Sequence, residues 1–185
     1  MCALTAFAQP QFGPKPSGKK GKVDAEFVEM GEFAKMAEQD LAQTILVSTG
    51  DASVKMNIPK GVKINDYGKF LSILNVNDYT AFRIDDMVRI IPLKDARSSS
   101  VPVVEPDGKY YEDEFVTEYI YLEKACASKM LPVLRPMIPQ HSHMAANDSD
   151  SMLITDTYGN IQRIKNVINK MEKAMEKKQD CHFSN

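Results

Sequence analysis

Val116-Thr-Glu-Tyr-Ile-Tyr-Leu122, followed by Lys124-Ala-Cys-Ala-Ser-Lys-Met-Leu-Pro-Val-Leu-Arg-Pro-Met-Ile138, decides how this chain is read. The first run has the β-branched and aromatic content of a strand, and the second is helical in spacing. Pro132 and Pro136 interrupt that helix, and an interior proline costs roughly 3 kcal/mol. A kink at Pro132 and a stop near Arg135 are expected. After a polar break come two strand-like runs, His143-Met-Ala-Ala146 and Met152-Leu-Ile-Thr155. From Tyr158 to about Lys173, Ile161, Ile164, Ile168 and Met171 lie on one helical stripe. Residues 115–173 therefore read β-α-β-β-α, a layer of helices on a small sheet.

Working outward, residues 24–94 read β-α-β-β-α-β-β. Ala25-Glu-Phe-Val-Glu-Met30 suits a short strand, and Phe33, Met36, Ala37 and Leu41 recur at helical spacing. Thr44-Ile-Leu-Val47 and the alternation of Val54, Met56 and Ile58 give two strands. Asn65 or Asp66 can cap a helix whose stripe is Tyr67, Phe70, Leu71 and Leu74. Thr80, Phe82 and Ile84, the turn Asp85-Asp86, and Met87-Val-Arg-Ile-Ile91 make a hairpin. The fold class is α+β, in two small domains with helices packed on small mixed sheets. Residues 95–114, with Ser98-Ser-Ser100 and Asp107-Gly108, read as a linker, and 174–185 as a polar tail that frays.

The composition is that of an ordinary globular protein, 43% hydrophobic and 26% charged, with a formal net charge of -2. That balance gives no electrostatic reason to expect nucleic acid. No run approaches the roughly 20 apolar residues that cross a bilayer. Residues 1–23 read as a signal remnant and disordered leader. Ala6-Phe7-Ala8 fits a small-x-small cleavage site, although a basic n-region and most of an apolar h-region are missing, and export is expected. The three cysteines, Cys2, Cys126 and Cys181, are odd in number and far apart, unlike a disulfide framework. Cys126 reads as a small core residue on the side of its helix shared by Met130, Val133 and Met137.

No chemical centre emerges. His141 and His143 supply two loop ligands where zinc needs three or four. Asp148-Ser-Asp150 fails as a calcium loop, with Leu153 where Gly belongs and Gly159 where Glu belongs. No phosphate loop, nucleophile elbow or HExxH occurs. No catalytic residue, metal or cofactor is expected, and the protein reads as a non-enzyme.

The wording itself carries a resemblance. Tyr119-Ile-Tyr-Leu-Glu-Lys-Ala125, Leu131-Pro-Val-Leu-Arg-Pro-Met-Ile138, and Asp150-Ser-Met-Leu-Ile-Thr-Asp156 with Asn160-Ile-Gln-Arg-Ile164 resemble the repeated periplasmic (N1) domain of bacterial secretins. Phe70-Leu-Ser-Ile-Leu74, with Val88-Arg-Ile-Ile-Pro-Leu93 and Ala96-Arg97, resembles the preceding (N0) domain of the type II secretion secretin. Glu29-Met-Gly-Glu32 and Ser48-Thr-Gly-Asp51 match that pattern poorly, and Ser151 stands where the family often has Asn.

The resemblance implies a periplasmic, non-catalytic protein whose domains stack as homo-oligomeric rings and dock an inner-membrane platform protein, with secreted substrates as further partners. It places the docking edge at Ala25, Glu26, Phe27, Val28, Glu29 and Met30. It also implies an outer-membrane barrel outside this polypeptide, so the chain itself is not expected to form a pore. The alternatives are a pilus-type or phage-type secretin, a free-standing adaptor, or a KH-like RNA-binding module, since β-α-β-β-α is also the KH-like order. An RNA binder needs a GxxG between helices and a basic face. The one GxxG, Gly18-Lys-Lys-Gly21, sits in the polar leader.

Overall fold

Alternating and helical hydrophobic patterns resolve into twelve regular elements in a computed structural model of the chain, which describes residues 25–147 and 150–181. The leader, with its Gly18-Lys-Lys-Gly21, lies outside the described residues. The first half runs β1 (Ala25–Glu29), α1 (Met30–Leu41), β2 (Thr44–Leu46), β3 (Lys55–Pro59), α2 (Tyr67–Val76), β4 (Tyr79–Ile84) and β5 (Met87–Pro92). The second runs β6 (Phe115–Tyr121), α3 (Ala127–Leu134), β7 (His143–Ala146), β8 (Ser151–Thr157) and α4 (Tyr158–Lys173). Both element orders and the α+β class are those expected.

In the first half β1 and β3 form a two-stranded antiparallel sheet, and β2-β5-β4 a mixed one. Between them lie the buried stripes of α1 and α2: Phe33 stacks on Phe70 with ring centroids 5.6 Å apart, over Ile45, Met56, Ile58 and Val88. Asp66 caps α2 by accepting the Lys69 N–H at 2.8 Å, satisfying a donor that the helix itself leaves orphaned.

The sheet of the second half has the order β6-β8-β7 with antiparallel strand pairs, and Val103 adds a parallel bridge to Thr117 of β6. The crossover through α3 returns β7 in the direction of β6, but β8 inserts between them, so both pairs, β6-β8 and β8-β7, are antiparallel. Val116, Ile120, Met152 and Ile154 face Ile161, Ile164 and Ile168 of α4. α3 carries Pro132 and gives way at Arg135 to a 3-10 turn, Arg135–Met137, where the two prolines lead one to expect its end.

The stretch read as a linker is packed. A 3-10 turn, Leu93–Ser98, buries Leu93 and Ala96, and these join Val101, Phe82, Ile91 and Phe115 in a third apolar cluster bridging the halves. Its few apolar residues are irregularly spaced, so no period announces them. Residues 102–104 then run along β6: the Thr117 N–H donates to the Pro102 carbonyl and the Val104 N–H to the Thr117 carbonyl, each at 2.8 Å.

Two expectations for the second half are corrected. Cys126 is wholly buried, as expected, yet it is disulfide-bonded to Cys181 with 5.3 Å between their Cα atoms. Residues 174–181 after α4 do not fray. Met171 and Met175 pack against the second core, and the Gln179 N–H donates to the Lys124 carbonyl at 2.8 Å. Apolar contacts continue past the helix end and bring the tail back across the start of α3, which places Cys181 beside Cys126.

Candidate partner-docking edge

Residues Ala25 to Glu29 lie on β1, in register with β3: Ala25 faces Pro59, Glu26 faces Ile58, Phe27 faces Asn57, Val28 faces Met56, and Glu29 faces Lys55. Met30 is not part of the edge. It opens α1 and is wholly buried in the first core. The apolar character that made it look like a strand residue serves the core instead.

The direction of each β1 amide follows from the ladder. The Met30 N–H donates to the Val54 carbonyl at 2.8 Å, and backbone groups of an antiparallel pair alternate in direction every residue. Val28 and Glu26 therefore bond inward to Met56 and Ile58. Ala25, Phe27 and Glu29 turn their N–H and C=O groups to the far side. Pro59, which has no N–H, stands opposite Ala25, a position that needs none.

Such a two-stranded sheet has two outer edges, and one is closed. The Asn57 N–H donates to Asn77 Oδ1 at 2.7 Å, and Asn77 Nδ2 donates to the Asn57 carbonyl at 3.0 Å. One side-chain amide thus satisfies both outward groups of Asn57, at the centre of β3, as a neighbouring strand would. Asn77 is held in turn by donating to the Ile73 carbonyl at 2.8 Å. No strand covers β1 among the described residues. Phe27 stands beside this edge 75% exposed, flanked by the exposed Glu29.

The edge is carried on a first half that is tied firmly to the second. Residues 112–114 are the knot. Arg83 on β4 donates to both carboxylate oxygens of the buried Glu114, at 2.9 and 3.0 Å from Nη2. Ser72 on α2 bonds Asp113 at 2.5 Å. The Glu114 and Glu112 carbonyls accept the Tyr158 and Gly159 N–H groups, each at 2.8 Å, satisfying two orphan donors at the start of α4. A side chain at Gly159 would put its Cβ 3.1 Å from the Glu112 carbonyl oxygen, so the close approach favours glycine.

A polar cleft of about 540 Å³ lies between the halves, lined by Asp51, Tyr79, Lys94, Arg97 and His141. Burial, and then the neighbouring Asp51 carboxylate that accepts from its hydroxyl, push the Tyr79 phenol upward. His141 is placed there, and His143 at the start of β7. Among the described residues no three His, Cys, Asp or Glu side chains gather as metal ligands.

Sequence reasoning missed Asn77, the Arg83–Glu114 pair and the disulfide. The first two have no local signature, because their partners lie 20 and 31 residues away. The disulfide did have one. A chain read as exported with three cysteines invites one pair and one left over.

In class this is a two-part α+β protein whose open strand edge suits β-addition by another chain. No protein-family model matches it. Among curated proteins it is similar to Secretin XcpQ of Pseudomonas aeruginosa, 30% identical over 107 residues, which is 57% of this chain and 16% of that protein. It is also similar to Secretin GspD of Vibrio cholerae, 25% identical over 155 residues, 79% of this chain and 23% of that protein. Among solved structures it is similar in fold to the Klebsiella pneumoniae type II secretion system outer membrane complex of PulD, PulS and the PulC HR domain. There the TM-score is 0.68 with 22% identity, over 82% of this chain and 26% of the matched chain. The resemblance read from the residues therefore holds: the chain is similar to the secretins of type II secretion. It spans less than a quarter of the length of those two curated relatives.

Proposed function

We propose that residues 24–94 and 115–173 are the first two periplasmic domains of a type II secretion secretin, non-catalytic, and that they dock a partner and pack into a ring. The observation that carries the docking reading is the asymmetry of the β1-β3 sheet. Its β3 edge is closed by Asn77 while its β1 edge is open beside an exposed Phe27. An open edge offers backbone hydrogen bonds to an incoming strand, and the side chains beside it provide selectivity.

The partner is an extended strand of an inner-membrane platform protein. A domain of the PulC HR kind is the natural probe, since the solved Klebsiella complex contains one with PulD. For the ring, the outward face of the β6-β8-β7 sheet carries Tyr119, Tyr121 and Leu153, all exposed. Such a face suits a copy of the same chain. The described helices include none long and apolar enough to cross a membrane.

Titration of an HR-type domain against the wild type and Glu29→Pro tests the docking. Glu29 has φ -67°, which proline adopts unstrained, and its amide points away from β3. The substitution removes one donor from the open edge and leaves the internal ladder whole. Affinity about tenfold weaker in a folded variant is expected, the loss of one well-made hydrogen bond. Equal affinity would remove β1 as the docking edge.

A further inference from the structure

The bond between Cys126 and Cys181 points to a compartment and to an order of events. We propose that it is installed outside the cytoplasm by a dithiol–disulfide exchange oxidant that enters at Cys181, and that it locks residues 174–181 as a cover over the start of α3. The proposal does not depend on which partner β1 binds.

The tail reaches its place by non-covalent contacts as well as by the disulfide. The Gln179 N–H donates to the Lys124 carbonyl at 2.8 Å, and the Cys126 N–H donates to Gln179 Oε1 at 3.3 Å. Lys124 Nζ donates to the Met175 carbonyl at 2.9 Å and Lys129 Nζ to the Asp180 carbonyl at 2.8 Å. Just upstream, Glu172 Oε1 accepts the N–H groups of Lys124 and Ala125 at 2.7 and 2.9 Å. Three successive amides, 124 to 126, are thus satisfied from the end of α4 and the segment after it. These contacts bring the two cysteines together.

Access differs between the two sulfurs. Cys126 is wholly buried, whereas Cys181 is half-buried. With the tail docked, an incoming disulfide meets Cys181 first, because exposure governs thiol exchange. The Cys181 thiolate attacks one sulfur of the oxidant, and the other sulfur leaves and takes up a proton. The Cys126 thiolate then attacks the Cys181 sulfur of this mixed disulfide and expels the oxidant's remaining sulfur, which is also protonated. Two thiols lose two electrons and two protons, and the oxidant's disulfide becomes a dithiol. Compartments with an oxidising thiol poise sustain this step, and a reducing cytosol does not. The bond also fixes the position of the end of the described segment. Cys181 is held at the N-terminal end of α3 and not at the end of α4.

The test has three parts. Protein taken from its native compartment is first alkylated with N-ethylmaleimide and then peptide-mapped without reduction. A Cys126–Cys181 linked peptide is expected, while two alkylated thiols, or a link from either to Cys2, would overturn the assignment. Next, reduced folded wild type is alkylated over a time course, which needs no variant to fold. Cys181 should react about tenfold faster than Cys126, as exposure dictates; equal rates would overturn the order of entry. Finally, amide exchange at 124–126 should quicken about tenfold on reduction, the signature of local opening. Unchanged exchange there would overturn the locking role.

Discussion

Arg83 closes on Glu114 from two sides, Nη2 at 2.9 Å from Oε2 and Nε at 3.2 Å from Oε1, and so ties β4 to the residue that precedes β6. The Glu114 side chain is almost fully buried, while that of Arg83 is 39% exposed and lies over the rings of Tyr67 and Tyr111. Removing one partner of a buried pair leaves an uncompensated charge. Solvent reaching Arg83 reduces the cost, and Arg83→Met is expected to lose about 2 kcal/mol. Urea unfolding followed by tryptophan-free probes such as circular dichroism reads this as a lower midpoint at unchanged slope.

Tyr67, next to this pair, gives the pH dependence. Burial and then the Glu114 charge push its phenol well above the ordinary value of 10.0. Below that value the phenol is neutral in both folded and unfolded chains. Above it the unfolded chain ionises and the folded one resists, so stability falls as pH rises from about 10. Tyr67→Phe should flatten that alkaline decline in a thermal-melt series. At neutral pH it should cost little, because no hydrogen bond reaches the buried Tyr67 hydroxyl.

Glu172 separates a charge effect from an acceptor effect. Its Oε1 accepts two backbone amides. Glu172→Ala leaves both buried and should cost about 2 kcal/mol, whereas Glu172→Gln keeps a carbonyl acceptor and should cost less than half of that. Reduction of the disulfide, which spans 55 residues, removes a further constraint of about 4 kcal/mol in the chain-entropy account. Chemical denaturation of the four species checks both statements.

Much of this fold is legible in the sequence because its elements are locally patterned. Tyr67, Phe70, Leu71 and Leu74 announce α2, and all four are buried. Ile161, Ile164 and Ile168 announce α4 in the same way. The candidate edge is legible only in outline. That Ala25 to Glu29 form a strand follows from alternation, but which of the two sheet edges is left open depends on Asn77, a turn residue by composition that covers β3 at Asn57. Lys165 shows the same limit. It stands off the apolar stripe of α4 and pairs with Glu118 on the sheet, 47 residues away, a contact that no local spacing announces.

Asn77→Ala should open the second edge. Losing the two bonds to Asn57 costs about 1 kcal/mol, since water replaces them at this exposed site. The larger effect should be on association, because a bare β3 edge invites pairing between copies. Sedimentation velocity should show concentration-dependent dimers in the variant beyond those of the wild type.

Site-resolved amide exchange of the first half, with and without an HR-type domain, tests the central claim most directly. Strand addition at β1 predicts that the outward N–H groups of Phe27 and Glu29 slow sharply on binding, with the inward amide of Val28 changed little. Binding that leaves Phe27 and Glu29 at their free rates would contradict the account.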